Sequence, residues 1–302
     1  MINAKIVCDS LASSGFRLTT FVLTYPRFIH AELMTHRMLS RNASSSRAIP
    51  VTKQIQEVID NPAIPLAFRK NQKGMQAGDL LDDQDAAVAV WLAARDAAVM
   101  QARAMVAMDI HKQYANRILE PFAHITVICS ATDWANFFAL RIHPAAQPEI
   151  CELATQMYRE YKASSPEFRS DGEWHLPLVS KEEMEECSAQ FGVTCLRDSK
   201  EALQLAIKRS VAKCARVSYK NHDGTKNTIK QDLELYDKLL GNVPIHASPA
   251  EHQAEADYNP IVRSGNFRGW HQYRKSIENE NVYEYNGTDE GQLLPIAGEK
   301  GK

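Results

Sequence analysis

No apolar run in the chain approaches the ~20 residues that a membrane span requires, and its N-terminus carries no signal peptide. The six cysteines (Cys8, Cys129, Cys151, Cys187, Cys195 and Cys214) include no C-x-x-C pair and no zinc-ligand spacing. They read as reduced, mostly structural thiols, and no metal site is expected. Charge of one sign is also lacking: the net charge is −2 with both signs mixed. That excludes the large basic field on which duplex nucleic-acid binding depends. No internal repeat is present. A soluble, cytoplasmic protein is expected, and its 302 residues suffice to bury a substantial core.

Residues 4–8 and 16–23 flank Ser13, Ser14 and Gly15 and predict a β-hairpin. Pro26 ends it, and 28–37 reads as a helix leading into a polar cluster. Pro50 closes that cluster, and a short helix is expected at 53–59. Residues 71–85, rich in Gly, Gln and Asp, read as an exposed loop. Residues 86–119 are Ala-rich with apolar positions recurring at three and four, which predicts one long helix in the core or at a subunit interface. A second long helix over 133–161 is expected to be kinked or interrupted by Pro144 and Pro148. Residues 164–192 read as loops with one short helix. Helices follow at 200–217 and 228–240, and 288–302 is expected to be a disordered tail to a single domain over 1–287.

What is there in abundance lies in residues 35–47: three arginines, four serines, a histidine and an asparagine. Arginine offers a fixed fork of donors that matches phosphate oxygens in pairs, and Ser and Asn complete such a shell. The order resembles the signature of the flavin-dependent thymidylate synthases, an Arg-His-Arg triplet followed after seven residues by Ser and then Arg. His36, Arg37, Ser40, Asn42, Ser45 and Arg47 fall in register, while Thr35 replaces the first Arg. Residues 117–121 (Arg-Ile-Leu-Glu-Pro) resemble the family's Arg-x-x-Leu-Pro segment. Residues 136–141 (Asn-Phe-Phe-Ala-Leu-Arg) and 146–150 (Ala-Gln-Pro-Glu-Ile) resemble its second signature helix. Two more motifs, Ala-Arg-Val-Ser-Tyr at 215–219 and His-Ala-Ser-Pro-Ala-Glu-His at 246–252, are similar to segments that lie upstream of the signature in the ordinary family. The motif order is therefore that of a circularly permuted chain. Further departures are Glu32 for a Gln, Ala43 for a Glu, and Ser130 and Thr132 for an Asn and an Arg.

The resemblance implies an α+β fold, a mixed sheet packed with long helices, in a homotetramer whose sites form between subunits. It implies reductive methylation of deoxyuridylate at C5, with FAD as cofactor and NADPH and methylenetetrahydrofolate as co-substrates. Arg141 matches the arginine that stabilises charge on the uracil edge and is the catalytic candidate. Nucleotide contacts are expected from Glu32, Ser44, Ser45, Ser46, Arg47, Arg117 and Arg141. Flavin contacts are expected from Thr35, His36, Arg37, Asn42, Ser130, Thr132, Asn136, Ser218, Ser248, Glu251 and His252. A serine nucleophile needs a base beside it, and no Ser/His/acid arrangement is legible, so Ser45 reads as a hydrogen-bonding contact. No cysteine sits in an electropositive motif that would activate it. Two alternatives stay open. One is another flavin- and folate-dependent pyrimidine modification, with hydroxymethylation as the outcome or deoxycytidylate as the substrate, motivated by Glu32, Thr35 and Thr132. The other is a non-catalytic nucleotide-binding oligomer.

Overall fold

A computed structural model describes residues 1–217, 227–241, 245–278 and 280–281 of the chain. Ser218 and the expected tail at 288–302 lie outside the described residues.

The predicted hairpin forms from β1 (Asn3–Ala12) and β2 (Arg17–Pro26), both longer than expected, around a turn in which Gly15 takes φ +85°. That backbone region is open to glycine at no steric cost. A bulge between Ile6 and Cys8 resets the register, so that Cys8 pairs with Thr20. The five-stranded sheet runs β3 (Ser40–Ala43), β4 (His124–Ala131), β2, β1, β5 (Glu167–Arg169), and only the β1–β5 pairing is parallel. The fold is thus α+β with a mixed sheet.

Side-chain alternation gives the sheet two different faces. Phe21, Leu23 and Tyr25 of β2 and Ile125, Val127 and Cys129 of β4 point to one side. There they pack on α5 (Ala135–Arg141) and α6 (Pro148–Ala163) through Phe137, Phe138, Ile150, Leu153 and Met157. Full burial of each such side chain contributes roughly 1.5–3 kcal/mol, which makes this the main core. The opposite face is covered by the C-terminal part of the chain. Leu18 packs with Ala254, Ala256, Phe267 and Trp270, and Ile128 packs with Cys214 and Val217. The Trp270 indole N–H donates to Phe16 O at 3.0 Å, tying that part to the hairpin.

Several helix expectations change. The helix read over 28–37 is a 3-10 turn (Arg27–Ile29) and a five-residue α1 (His30–Met34); α2 (Val51–Asp60) matches its prediction. The long helix over 86–119 is instead α3 (Gln84–Ala107), α4 (Lys112–Ala115) and a 3-10 segment (Asn116–Phe122), broken where Asp109 takes φ 56°. In this chain α3 is not a core helix, since only Val99 and Ala102 of it are buried. The second long helix is interrupted as expected, and Pro148 opens α6 at a position where its missing N–H costs nothing. Three helices pack beside the sheet: α7 (Lys181–Ala189), α8 (Lys200–Arg216) and α9 (Ile229–Leu240). On α8, Arg209, Lys213 and Arg216 share one face at i, i+4, i+7. That face meets Glu183 and Glu186 of α7 and Asp232 of α9, with Arg209 only 1% exposed. Short strands β6 (Trp174–His175), β7 (Ala254–Ala256) and β10 (Trp270–Gln272) form a second sheet, and β8 (Arg263–Ser264) pairs with β9 (Phe267–Arg268). Among the described residues no helix is long and apolar enough to cross a membrane.

Candidate functional site

The signature begins where α1 ends. Arg41 fixes that end by donating from Nη1 to the carbonyls of Leu33, Met34 and His36 at 3.0–3.3 Å. Thr35, His36 and Arg37 are thereby held in a turn that faces the N-terminal half of α5. Between them lies a cleft of about 770 Å³, also lined by Thr132, Trp134, Asn136, Phe137, Phe138 and Arg141. Tyr158, Tyr161 and Lys162, on one face of α6, close its far wall. His36 packs edge-on against Phe137, with ring centroids 4.9 Å apart.

Arg141 is clamped in this cleft. Its Nε–H donates to His36 Nε2 at 2.8 Å, and its Nη2 donates to Glu32 O and Thr35 Oγ1, each at 3.1 Å. Burial, then the Arg141 and Arg41 charges, pull the His36 pKa below its ordinary value. His36 is therefore neutral at pH 7 and able to accept this bond. Arg141 Nη1 makes no hydrogen bond among the described residues, and the Trp134 indole N–H is buried with no partner among them. The cleft thus combines aromatic walls and a positioned guanidinium. Such a lining suits a flat heteroaromatic group carrying negative charge.

The second half of the signature is elsewhere. Ser44 sits beyond β3, with its N–H bonded to Thr126 O (2.9 Å) and its hydroxyl accepting from Thr126 N–H (3.2 Å). Thr132, at the cleft, is six residues farther along β4 and its extension, about 20 Å at the rise of an extended strand. Residues 44–47 therefore lie away from His36 and Arg141 within this chain, and none of them lines the cleft. Around them Ser46 Oγ donates to Glu120 (2.6 Å), Asn116 donates to the carbonyls of Ser46 and Ile49, and Arg117 pairs with Glu120 (3.0 Å). Ser45 is half-buried and Arg47 is exposed.

A third group of candidates lies in the interior. Ser40, Ser130, Thr20 and Cys8 form one row across β3, β4, β2 and β1 on the face covered by the C-terminal segment. Ser130 Oγ bonds His252 Nδ1 (2.8 Å) and Thr20 Oγ1 (2.6 Å); Thr20 also bonds His175 Nε2 (2.8 Å), whose Nδ1 bonds Ser10 (2.9 Å). Ser40 accepts from Gln272 (3.1 Å) and Asn266 (3.3 Å). Asn42 donates to Cys214 O (2.9 Å), and Ser248 Oγ donates to Asn42 (3.4 Å). Ser130 and His252 are fully buried and lie off the cleft; Glu251 is held by Arg274. His252 Nε2 has no partner among the described residues.

Sequence reasoning passed over several residues of these groups. Tyr158, Tyr161 and Lys162 were legible as i, i+3, i+4 neighbours facing the Asn-Phe-Phe helix. Arg268 was not: it arrives from β9 to pair with Asp133 (3.1 Å) and to donate its backbone N–H to Thr132 Oγ1 (3.2 Å). It brings a guanidinium to the edge of the cleft where Thr132 itself provides none. His175 and Arg27 likewise enter only through tertiary contacts.

A family model described as thymidylate synthase complementing protein matches residues 17–167. That span holds the cleft and residues 44–47 but not Ser248, Glu251 or His252. No match is found among curated proteins. Two solved structures to which the chain is similar have nucleotides bound. One is a UMP/dUMP methylase, PolB, from Streptomyces cacaoi bound with 5-Br dUMP: 19% identity, 53% of this chain and 90% of that chain covered, TM-score 0.45. The other is Thymidylate Synthase X (ThyX) from Helicobacter pylori with FAD and dUMP: 15% identity, 48% of this chain and 67% of that chain covered, TM-score 0.35.

Proposed function

Because the chain belongs to the thymidylate synthase complementing protein family, we propose that it methylates deoxyuridylate at C5, with FAD as cofactor and NADPH and methylenetetrahydrofolate as co-substrates. The observation that carries this reading is the convergence of Thr35, His36, Arg37, Asn136 and Arg141 on one aromatic-walled cleft.

The residues present fit a flavin. Tyr158 and Tyr161 offer accessible aromatic surface, and His36, Arg37, Asn136 and Thr132 would hold the group's polar atoms. When bound, FAD supplies the hydride that reduces the transferred carbon to a methyl group. The protein's own contribution is electrostatic. Making uracil C5 nucleophilic spreads negative charge onto its N3–O4 edge. A guanidinium fixed in advance stabilises that charge without reorganising. Arg141 is such a group, since His36 and the Glu32 carbonyl hold two of its nitrogens and leave Nη1 open. Arg47, Arg117, Ser44, Ser45 and Ser46 bind the nucleotide phosphate and sugar.

The separation of those residues from Arg141 supports a site shared between subunits of a homotetramer. The exposed apolar side chains of α3, among them Val90, Met100 and Val106, suit a subunit contact. The packing of Ser248 and His252 against β3 and β4 supports a permuted motif order within one domain. A second reading rests on the chemistry of Glu32, whose backbone carbonyl holds Arg141 at the cleft. A carboxylate only accepts, so it would pair with the amino group of deoxycytidylate. An absorbance spectrum of the purified protein, then anaerobic NADPH titration with and without deoxyuridylate, tests the proposal. Bound flavin that NADPH reduces supports it, and a colourless protein that takes up no FAD refutes it.

A further inference from the structure

One carboxylate sits where the signature's donors converge. Glu120 Oε1 accepts from Ser46 Oγ (2.6 Å) and Arg117 Nη1 (3.0 Å), and lies 3.0 Å from Arg27 Nη2. The surrounding frame is firm. Arg27 N–H donates to Ala123 O (2.8 Å), Arg27 Nη1 to Ser44 O (3.4 Å), and Asn116 holds the carbonyls of Ser46 and Ile49. Arg27 and Glu120 are only 18% and 23% exposed, whereas Arg117 is 54% exposed and reachable from solvent. An oxygen anion held by a hydroxyl and two guanidinium groups has the environment of a bound phosphate oxygen.

We propose that Glu120 is an internal anion occupying the phosphate-recognition donors of residues 44–47, and that it sets how tightly the protein holds a phosphate monoester. The inference rests on the reading that this segment meets the substrate's phosphate. A phosphate approaching Ser46 and Arg117 must displace the carboxylate or share the cations with it, and like charges at this distance repel. Either way the affinity is held below what the donors alone would give. A nucleoside, which lacks the phosphate, meets no such competition. Glu120 is thus a specificity-determining residue that restrains monophosphate binding and leaves base recognition untouched.

Glutamine at 120 keeps an acceptor for Ser46 and removes the charge. If Glu120 only anchored the loop, this change would loosen Arg27 and Arg117 and weaken binding. An internal anion gives the opposite sign. The experiment is calorimetric titration of the full-length protein and its Glu120→Gln variant with deoxyuridylate, deoxyuridine and inorganic phosphate. The expected result is deoxyuridylate and phosphate binding about tenfold tighter in the variant, ~1.4 kcal/mol, with deoxyuridine unchanged. Equal or weaker binding of both phosphate ligands, or an equal gain for deoxyuridine, overturns the proposal. If neither protein binds deoxyuridylate but the variant gains phosphate affinity, the internal anion stands and the pyrimidine reading fails. Should Glu120→Gln not fold by circular dichroism, Glu120→Met carries the same prediction.

Discussion

Acid should destabilise this protein before its carboxylates titrate. His175 and His252 are fully buried at the two ends of the Thr20–Ser130 hydrogen-bonded link, and burial pushes both down to about 3. In the unfolded chain a histidine takes its proton near pH ~6.5. Between those values the unfolded state binds more protons, so stability falls as pH falls. At about pH 5 each histidine sits ~1.5 units below its unfolded value, which costs ~2 kcal/mol, or ~4 kcal/mol for the pair. That is a large part of a typical total of about 5–15 kcal/mol. His30, pushed down to about 4 by burial and then by Arg27 and Arg41, acts in the same direction. Asp9 and Glu183 have lowered values, so their contributions are lost only as pH falls below the ordinary carboxylate range. Urea unfolding followed by circular dichroism from about pH 7.5 to about pH 5 reads the effect directly. In a His175→Gln variant the slope should fall by about a third, since one of the three strongly shifted histidines is gone. Equal stability at both ends of that range, or an undiminished slope in the variant, refutes the reasoning.

Arg141→Ala should abolish turnover while the protein stays folded, and a loss smaller than about tenfold, ~1.4 kcal/mol of barrier, removes its catalytic assignment. Arg47→Ala and Arg117→Ala should each weaken nucleotide binding by one to two powers of ten, since a charge-assisted hydrogen bond contributes roughly 1.5–3 kcal/mol. Calorimetry showing unchanged binding in both would remove residues 44–47 from the substrate site. Trp270→Ala should destabilise by ~3–5 kcal/mol, because the side chain is fully buried and anchors the C-terminal part on the hairpin. A urea midpoint that does not move would mean that this contact is not a stability determinant.

The hairpin was legible because β-branched and aromatic residues flank a glycine turn. Its partner β4 carries the same signal and was passed over: Ile125, Val127, Cys129 and Ala131 alternate with His124, Thr126 and Ser130, and only Ile128 breaks the pattern. The break after α3 carries no glycine or proline; the chain turns at Asp109 in a conformation that Asp tolerates but does not announce. Strands of two or three residues, such as β6 to β10, are too short for periodicity to register. At the site, the motifs singled out His36, Arg37 and Asn136 for the flavin and Arg141 for the nucleotide, and all four line one cleft. The same motif runs on through β3, and the extended chain carries residues 44–47 to the far end of β4. Ser130 and His252 became interior partners because β3, β4 and the C-terminal segment close over them, a tertiary event with no local signature.

The most direct measurement is tritium release from deoxyuridylate labelled at C5, using the purified protein with FAD, NADPH and methylenetetrahydrofolate. The account predicts release into water that requires both the reductant and the folate, with deoxycytidylate labelled at C5 far slower. No release above background from protein shown to bind deoxyuridylate would contradict it.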